Sequence, residues 1–283
     1  MYKNMIDMFK ENEGKGGIGA FNIHSLEVIP AMIRAAEEMN APIILQTSTG
    51  TVEYIGYKQM VAVVRSIADD SPINVALHMD HCKSFEALAK AIDAGFTSVM
   101  YDGSALPLEE NIANTQKVVA FAHNHSPKIS VEGEIGAIGG SEDGVVVAKD
   151  QAMYTTPEDA MRFVNETNVD ALAVSIGTTH GQWKSKAKIN YDLLHTLKAQ
   201  LGDVALVLHG GTGVSDDDMR RLAAEGMKKF NVGTELLKVW KDVAKANLEK
   251  PENTPVYSAR NILVPANEKV AEVIKEKIAL YRI

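Results

Sequence analysis

Val75-Ala76-Leu77-His78-Met79-Asp80-His81 joins an apolar run of strand-forming residues to an ionisable cluster. Two later runs close the same way: Ala171-Leu172-Ala173-Val174-Ser175-Ile176-Gly177-Thr178-Thr179-His180, and Val204-Ala205-Leu206-Val207-Leu208-His209. Each leads its histidine straight into glycine or a loop. Buried strands that each finish on histidine point to one shared site where their carboxyl ends converge. Three neutral imidazoles meeting there, His81, His180 and His209, are what a catalytic Zn²⁺ needs, with a fourth position open for substrate.

Outward from this stretch, strand and helix patterns alternate along the chain. Residues 3–13 carry Met5, Met8 and Phe9 at helical spacing, which predicts a short lid helix under a barrel floor. A first strand over 17–23 is followed by a helix capped by Ser25 and running to Met39. A second strand covers 42–46, then a loop at 47–50 and a helix over 57–69. The third strand, 75–81, precedes a helix from Ser84 to Ala94 stopped by Gly95. Strand four is 98–102 with a helix over 107–123. Strand five is 129–134, followed by the longest loop, 135–155, and by a helix with Pro157 at its first position. Strand six is 171–176, with a polar loop to Asn190. Strand seven leads to His209, and its helix opens on Ser215-Asp216-Asp217-Asp218, acids that complement the macrodipole. Strand eight is 229–232, and Gly233-Thr234 enter a last barrel helix. Residues 250–266 read as a Pro- and Asn-punctuated excursion, and 267–281 as a terminal helix. Eight such units predict an α/β fold, a (β/α)₈ TIM barrel with an extra N-terminal helix and a C-terminal helical extension. It forms a single domain over 1–283; a doubly wound open sheet is the alternative.

A chain of 283 residues with 46% hydrophobic and 23% charged content suits a globular barrel. The net charge of −8 argues against nucleic acid or an anionic membrane surface as partner. One cysteine, Cys82, excludes an internal disulfide and points to a reducing compartment. The start carries no signal-peptide pattern and no run has the length of a membrane span, so a cytoplasmic location is expected.

At the active face of such a barrel, Asp80 stands one residue before His81. Alternation sends the two side chains apart unless strand pairing ends there. Asp80 then lies beside the metal as an acid–base group, or orients a ligand imidazole. His78, one step deeper, reads as a hydrogen-bonded core histidine. Asp102, Glu132 and Glu134 also end strands, and either hold a second cation, fix the histidine tautomers, or form a salt-bridge network at the barrel mouth. Glu142, in Gly139-Gly140-Ser141-Glu142-Asp143-Gly144, is placed as the acid of a closing lid; a solvated loop carboxylate is the plainer alternative. Glycine with hydroxyls and amides recurs at Gly181, at Gly210-Gly211-Thr212, and at Asn231-Val232-Gly233-Thr234. The last two follow strands seven and eight, where barrels build phosphate sites from loop N–H groups and a helix N-terminus.

These motifs, with Ser98-Val99-Met100-Tyr101-Asp102-Gly103-Ser104 and Val131-Glu132-Gly133-Glu134-Ile135-Gly136, closely resemble those of the class II, zinc-dependent ketose-bisphosphate aldolases. The resemblance runs from Ala20-Phe21-Asn22 to Val264-Pro265-Ala266. It implies that His81, His180 and His209 hold zinc, that Asp80 is the acid–base aspartate, and that Glu142 is the mobile-loop base. Asp102 and Glu134 match positions near an alternative or second metal site. The glycine-rich turns would hold dihydroxyacetone phosphate with help from a monovalent cation, Na⁺ or K⁺. Asn22 and Ser48 would line the cleft, and Arg260 would reach the far phosphate, in some members from a neighbouring subunit, so a homodimer or homotetramer is expected. Cys82 stands where glycine or histidine is usual, and Tyr257-Ser258-Ala259-Arg260-Asn261 matches the family's Asp-Pro-Arg pattern loosely.

The implied reaction is reversible cleavage of fructose or tagatose 1,6-bisphosphate to dihydroxyacetone phosphate and glyceraldehyde 3-phosphate. A related phosphoketose or deoxy-sugar phosphate is an alternative substrate, and a non-catalytic sugar-phosphate-binding subunit an alternative role. A Schiff-base aldolase would need a buried strand-end lysine. A metal-dependent hydrolase would typically place His-x-His on strand one, where this chain has Asn22-Ile23-His24.

Overall fold

The structure is a computed structural model that describes the chain apart from residues 137–138, 143–144, 148–153, 181–186, 212 and 254–257, with backbone alone at 139–142, 145–147, 180 and 253. In chain order the strands are β1 (Ile18–Asn22), β2 (Ile43–Thr47), β3 (Val75–Cys82), β4 (Ser98–Tyr101), β5 (Ser130–Ile135), β6 (Gly139–Glu142), β7 (Val145–Val147), β8 (Ala171–Val174), β9 (Thr179–His180), β10 (Ala205–Leu208) and β11 (Lys229–Val232). All except β6, β7 and β9 pair in parallel and close into a ring, with β11 beside β1. The helices are α1 (Met5–Glu11), α2 (Ile29–Glu38), α3 (Thr49–Ile55), α4 (Tyr57–Ala68), α5 (Phe85–Ala94), α6 (Leu108–His123), α7 (Pro157–Thr167), α8 (Tyr191–Leu201), α9 (Asp216–Ala224), α10 (Thr234–Leu248) and α11 (Ala259–Tyr281). The protein is a (β/α)₈ barrel.

Strand alternation explains its two cores. Outward residues such as Leu45, Leu77, Met79, Val131, Leu172, Leu206 and Phe230 belong to the large cluster shared with the helices. Inward residues Ile18, Ala20, Ile44, Ala76, Ala171, Ala173, Ala205 and Val207 form a second cluster, and Met5, Met8 and Phe9 of α1 plug the floor beneath it. Above that apolar base the same inward parity carries polar groups: Gln46, His78, Glu132 and Lys229, then Asn22, Asp80, Glu134, His209 and Asn231. The hydrophobic base holds the barrel shut, and the polar upper layers make its mouth.

Local signals set the boundaries. Ser84 accepts a hydrogen bond from the Ala87 N–H, and Gly95, at φ 111°, gives α5 its left-handed stop. Thr156 caps α7 with Pro157 in its first turn. Ser25 precedes a 3₁₀ turn over Leu26–Val28 rather than α2 itself, and its hydroxyl makes no capping bond.

Other expectations are corrected. Strand six stops at Val174 because Ser175 pairs instead with Thr155, whose Oγ1 accepts the Ser175 N–H at 2.8 Å. The segment after β5 is not all loop: β6 and β7 pair antiparallel, and Gly139 and Gly140 pair with Thr179 and His180. α3, seven residues long, occupies part of the stretch between strand two and the helix at 57. The largest difference is at the C-terminal end, where α11 starts at Ala259 and continues through Pro265. Proline removes the N–H that would bond the Asn261 carbonyl. Asn247 of α10 replaces it, donating from Nδ2 to the Asn261 oxygen at 2.6 Å and the Ile262 oxygen at 3.1 Å.

Candidate active site

The last residues of β3 create the site. His81 has φ 46°, and the β3–β4 register slips between Met79 and Cys82. Strict alternation would send Asp80 and His81 to opposite faces. The bulge turns the histidine back over the mouth, so ligating atoms of Asp80, His81 and His209 lie within 4.8 Å of one another. A left-handed histidine is locally strained, and such strain is held where the surrounding structure fixes it.

Carboxylates orient both rings. His81 Nδ1 lies 3.1 Å from Asp102 Oδ2, and His209 Nε2 lies 2.8 Å from Glu132 Oε1. With a hydrogen donated to each carboxylate, the nitrogens left to face each other are His81 Nε2 and His209 Nδ1, 2.8 Å apart, on rings crossed at 87°. Two nitrogens so placed either share a proton in an N–H···N hydrogen bond or bind a cation between them. The donor set therefore fits a divalent ion, whose bonds to imidazole nitrogen run to about 2.0–2.1 Å for zinc.

The electrostatics suit the same ion. Burial, with His81 alongside, pushes His209 down to about 4, toward the uncharged imidazole that a metal ligand must be. Burial alone would raise Glu132, but the Lys229 ammonium and the His209 bond overcome it and hold the carboxyl at about 2. Burial of Asp80 is likewise outweighed by His81 and Lys229, which hold it well below the ordinary carboxylate range. Burial of Asp102 is overcome by its bonds to His81 and Ser104. Glu134 goes the other way, raised well above the usual value by burial and then by the charge of Asp102. It lies 3.7 Å from both His81 Nδ1 and His209 Nδ1, and His81, Asp102 and Glu134 form a second group with metal-ligand spacing.

Asp80 is 2% exposed and surrounded by donors. Gln46 Nε2 donates to its Oδ2 at 2.9 Å and to Asn22 Oδ1 at 2.7 Å. Asn231 Nδ2 lies 3.3–3.4 Å from both carboxylate oxygens. His78 is a core histidine bonded to Ser98 Oγ at 2.7 Å, as its depth suggested. Gln46 and Lys229 were missed from the sequence. Lys229 is fully buried, with Nζ 2.8 Å from Glu132 Oε2 and 3.8 Å from Asp80 Oδ1. The signal available was parity, since both share the inward face with His78 and Asn231.

The phosphate-site candidates divide. Gly210 has φ 65°, and a Cβ there would sit 2.6 Å from the Thr179 backbone, so glycine permits a close approach of two loops. Gly233 precedes α10 with no side chain capping it, Val232 is buried and Thr234 begins the helix. A cavity of about 150 Å³ lies behind Gly211 and Thr234, with Lys238 and Lys277 on its wall. Ser48 precedes α3, half-buried. Arg260 is exposed in the first turn of α11. Gly181 and Thr212 lie outside the described residues, as do the side chains of His180 and Glu142, whose backbones belong to β9 and β6.

Barrels that gather imidazoles and buried carboxylates at this rim are equipped for metal-assisted chemistry. The sequence matches the family Fructose-bisphosphate aldolase class-II over residues 3–282, and the chain belongs to that family, an enzyme of the lyase class. It is 40% identical to a fructose-bisphosphate aldolase of Staphylococcus aureus, covering 98% of this chain and 94% of that one. It is 38% identical to a 6-phospho-5-dehydro-2-deoxy-D-gluconate aldolase of Shouchella clausii, covering 92% and 87%. The crystal structure of the YdjI aldolase from Escherichia coli K12 superposes with a TM-score of 0.84 at 30% identity, over 99% of this chain and 97% of that one. Class II aldolases are metal-dependent. Among the described residues no helix is long and apolar enough to cross a membrane.

Proposed function

We propose that this aldolase is zinc-dependent and cleaves a ketose 1,6-bisphosphate, fructose or tagatose bisphosphate, to dihydroxyacetone phosphate and glyceraldehyde 3-phosphate. The observation that carries the reading is the pair of imidazole nitrogens facing each other at 2.8 Å, each ring fixed from behind by a carboxylate. His81 and His209 would hold the ion, with His180 as third ligand. When bound, zinc supplies the Lewis acid that a carbanion beside a carbonyl requires. Asp80 takes the C4 hydroxyl proton as the carbon–carbon bond breaks, and Gln46 and Asn231 keep its carboxylate aimed into the cleft. Glu142 returns a proton to the three-carbon fragment. Gly210, Gly211 and the start of α10 anchor the phosphate, which aligns the reacting carbons before chemistry begins.

Lys229 is buried as a Schiff-base lysine would be, but it does not favour that chemistry, because it begins β11 rather than ending it and its Nζ is engaged by Glu132 Oε2 at 2.8 Å. A second substrate reading, 6-phospho-5-dehydro-2-deoxygluconate, is supported by a relative of that name at 38% identity. Zinc-loaded protein assayed against the two epimeric bisphosphates and this deoxy-sugar phosphate should show one dominant kcat/KM. Turnover of none of them would end this reading, and a borohydride-trapped adduct on Lys229 would replace it with the Schiff-base mechanism. A monovalent cation at the phosphate loops, a cytoplasmic location and a homodimer or homotetramer belong to the same proposal.

A further inference from the structure

Lys229 is the first residue of β11, yet its ammonium reaches the underside of the site with no exposure to solvent. A buried charge requires a partner, and Glu132, also fully buried, supplies it at 2.8 Å. The two oxygens of Glu132 are divided: Oε2 takes the lysine and Oε1 the Nε2 of His209. A competing position is close, since His78 Nε2 lies 3.6 Å from Oε2 and 3.7 Å from Asp80 Oδ1, with no hydrogen-bond partner among the described residues.

We propose that Lys229 is a positioning residue acting through Glu132: it pins one carboxylate oxygen so that the other takes the His209 Nε2–H, which leaves Nδ1 turned toward His81. The role rests on the zinc reading above but concerns a residue that touches neither ion nor substrate. Groups that hold a ligand from behind commonly set metal affinity within about 10–100-fold.

The test uses chelator competition for Zn²⁺ on the full chain, so its readout is affinity rather than turnover. Lys229→Met leaves Glu132 free to turn toward His78 and should weaken zinc binding by roughly 10-fold or more. Glu132→Gln alone should also weaken it: the amide oxygen turns to the lysine and its NH₂ faces His209, favouring the tautomer with Nδ1 protonated. In Lys229→Met/Glu132→Gln the amide oxygen is released to accept the Nε2–H. The double variant should bind zinc about 10-fold more tightly than Glu132→Gln, a coupling of opposite sign to simple addition. If Lys229 only fills space, the two losses add and the double variant is the weakest of the set, which overturns the proposal. Should Lys229→Met not fold alone, the double variant removes the Glu132 charge together with the lysine, and its comparison with Glu132→Gln separates the two outcomes equally well. Wild-type protein that takes up no zinc would overturn the metal reading itself, whereas wild-type binding with additive losses overturns only the role of Lys229.

Discussion

Asp80→Asn isolates the acid–base role from the metal site. The substitution keeps the side chain's shape but replaces an oxygen with an NH₂ in a pocket of donors: Gln46 Nε2 at 2.9 Å, Asn231 Nδ2 at 3.3 Å and Lys229 Nζ at 3.8 Å. Only one amide oxygen remains to accept from them, so the misdirected NH₂ costs about 1–3 kcal/mol of stability. Loss of the proton acceptor costs more. General-base catalysis contributes about 10²–10⁴-fold, or roughly 3–5 kcal/mol of barrier at 1.36 kcal/mol per decade. His81 and His209 keep their orienting carboxylates, Asp102 and Glu132, so bound zinc should be unchanged. The assay couples triose phosphate release to a dehydrogenase under saturating zinc, with metal content measured on the same sample. Turnover within about 3-fold of wild type would refute the assigned role, against the expected loss of at least ~10²-fold. Loss of the metal together with turnover would make Asp80 a ligand instead.

Gly210→Ala places a Cβ 2.6 Å from the Thr179 backbone at a φ of 65°. The left-handed backbone alone costs about 1–2 kcal/mol, so for a chain of 283 residues a fall in Tm of roughly 2–4 °C is expected by calorimetry; an unchanged Tm would mean the two loops are not held together. Asn247→Leu removes the donor to the Asn261 carbonyl and should cost about 1–3 kcal/mol in urea unfolding. Adding Pro265→Ala should recover part of it by restoring a helical N–H, and no recovery would refute the explanation of why α11 passes through proline. Asp170 is held below the ordinary carboxylate value because its bonds to His123, Lys128 and the Val131 N–H outweigh burial. A depressed pKa gives stability that is present above about pH 4 and lost as pH falls through the folded value. Asp170→Asn should therefore cost about 1.5–3 kcal/mol at pH 7 and progressively less below pH 4; a pH-independent difference would contradict this.

The barrel was legible because long apolar strands alternate with capped helices, and α5 shows both ends in its own residues, Ser84 and Gly95. Three things were not legible, each for a physical reason. The convergence of Asp80 and His81 depends on one left-handed residue and a register slip, which no residue type announces when the residue is histidine. The continuation of α11 through Pro265 depends on a carboxamide from another helix, a tertiary contact that overrides a local breaker. Lys229 reads from sequence as an ordinary strand-edge lysine, and only counting inward positions on β11 places it under the site beside Glu132. By contrast, the end-of-strand histidines were plain to see, and His81 and His209 lie 2.8 Å apart with Asp102 and Glu132 within hydrogen-bond distance behind them.

The central claim is that His81 and His209 bind one divalent ion between them. Anomalous scattering at the zinc edge, from crystals grown with one equivalent of Zn²⁺, tests it directly. A single peak about 2.0–2.1 Å from both His81 Nε2 and His209 Nδ1 is the result this account requires. A metal-free chain that cleaves substrate at the full rate, with a shared proton rather than an ion between those nitrogens, would contradict it.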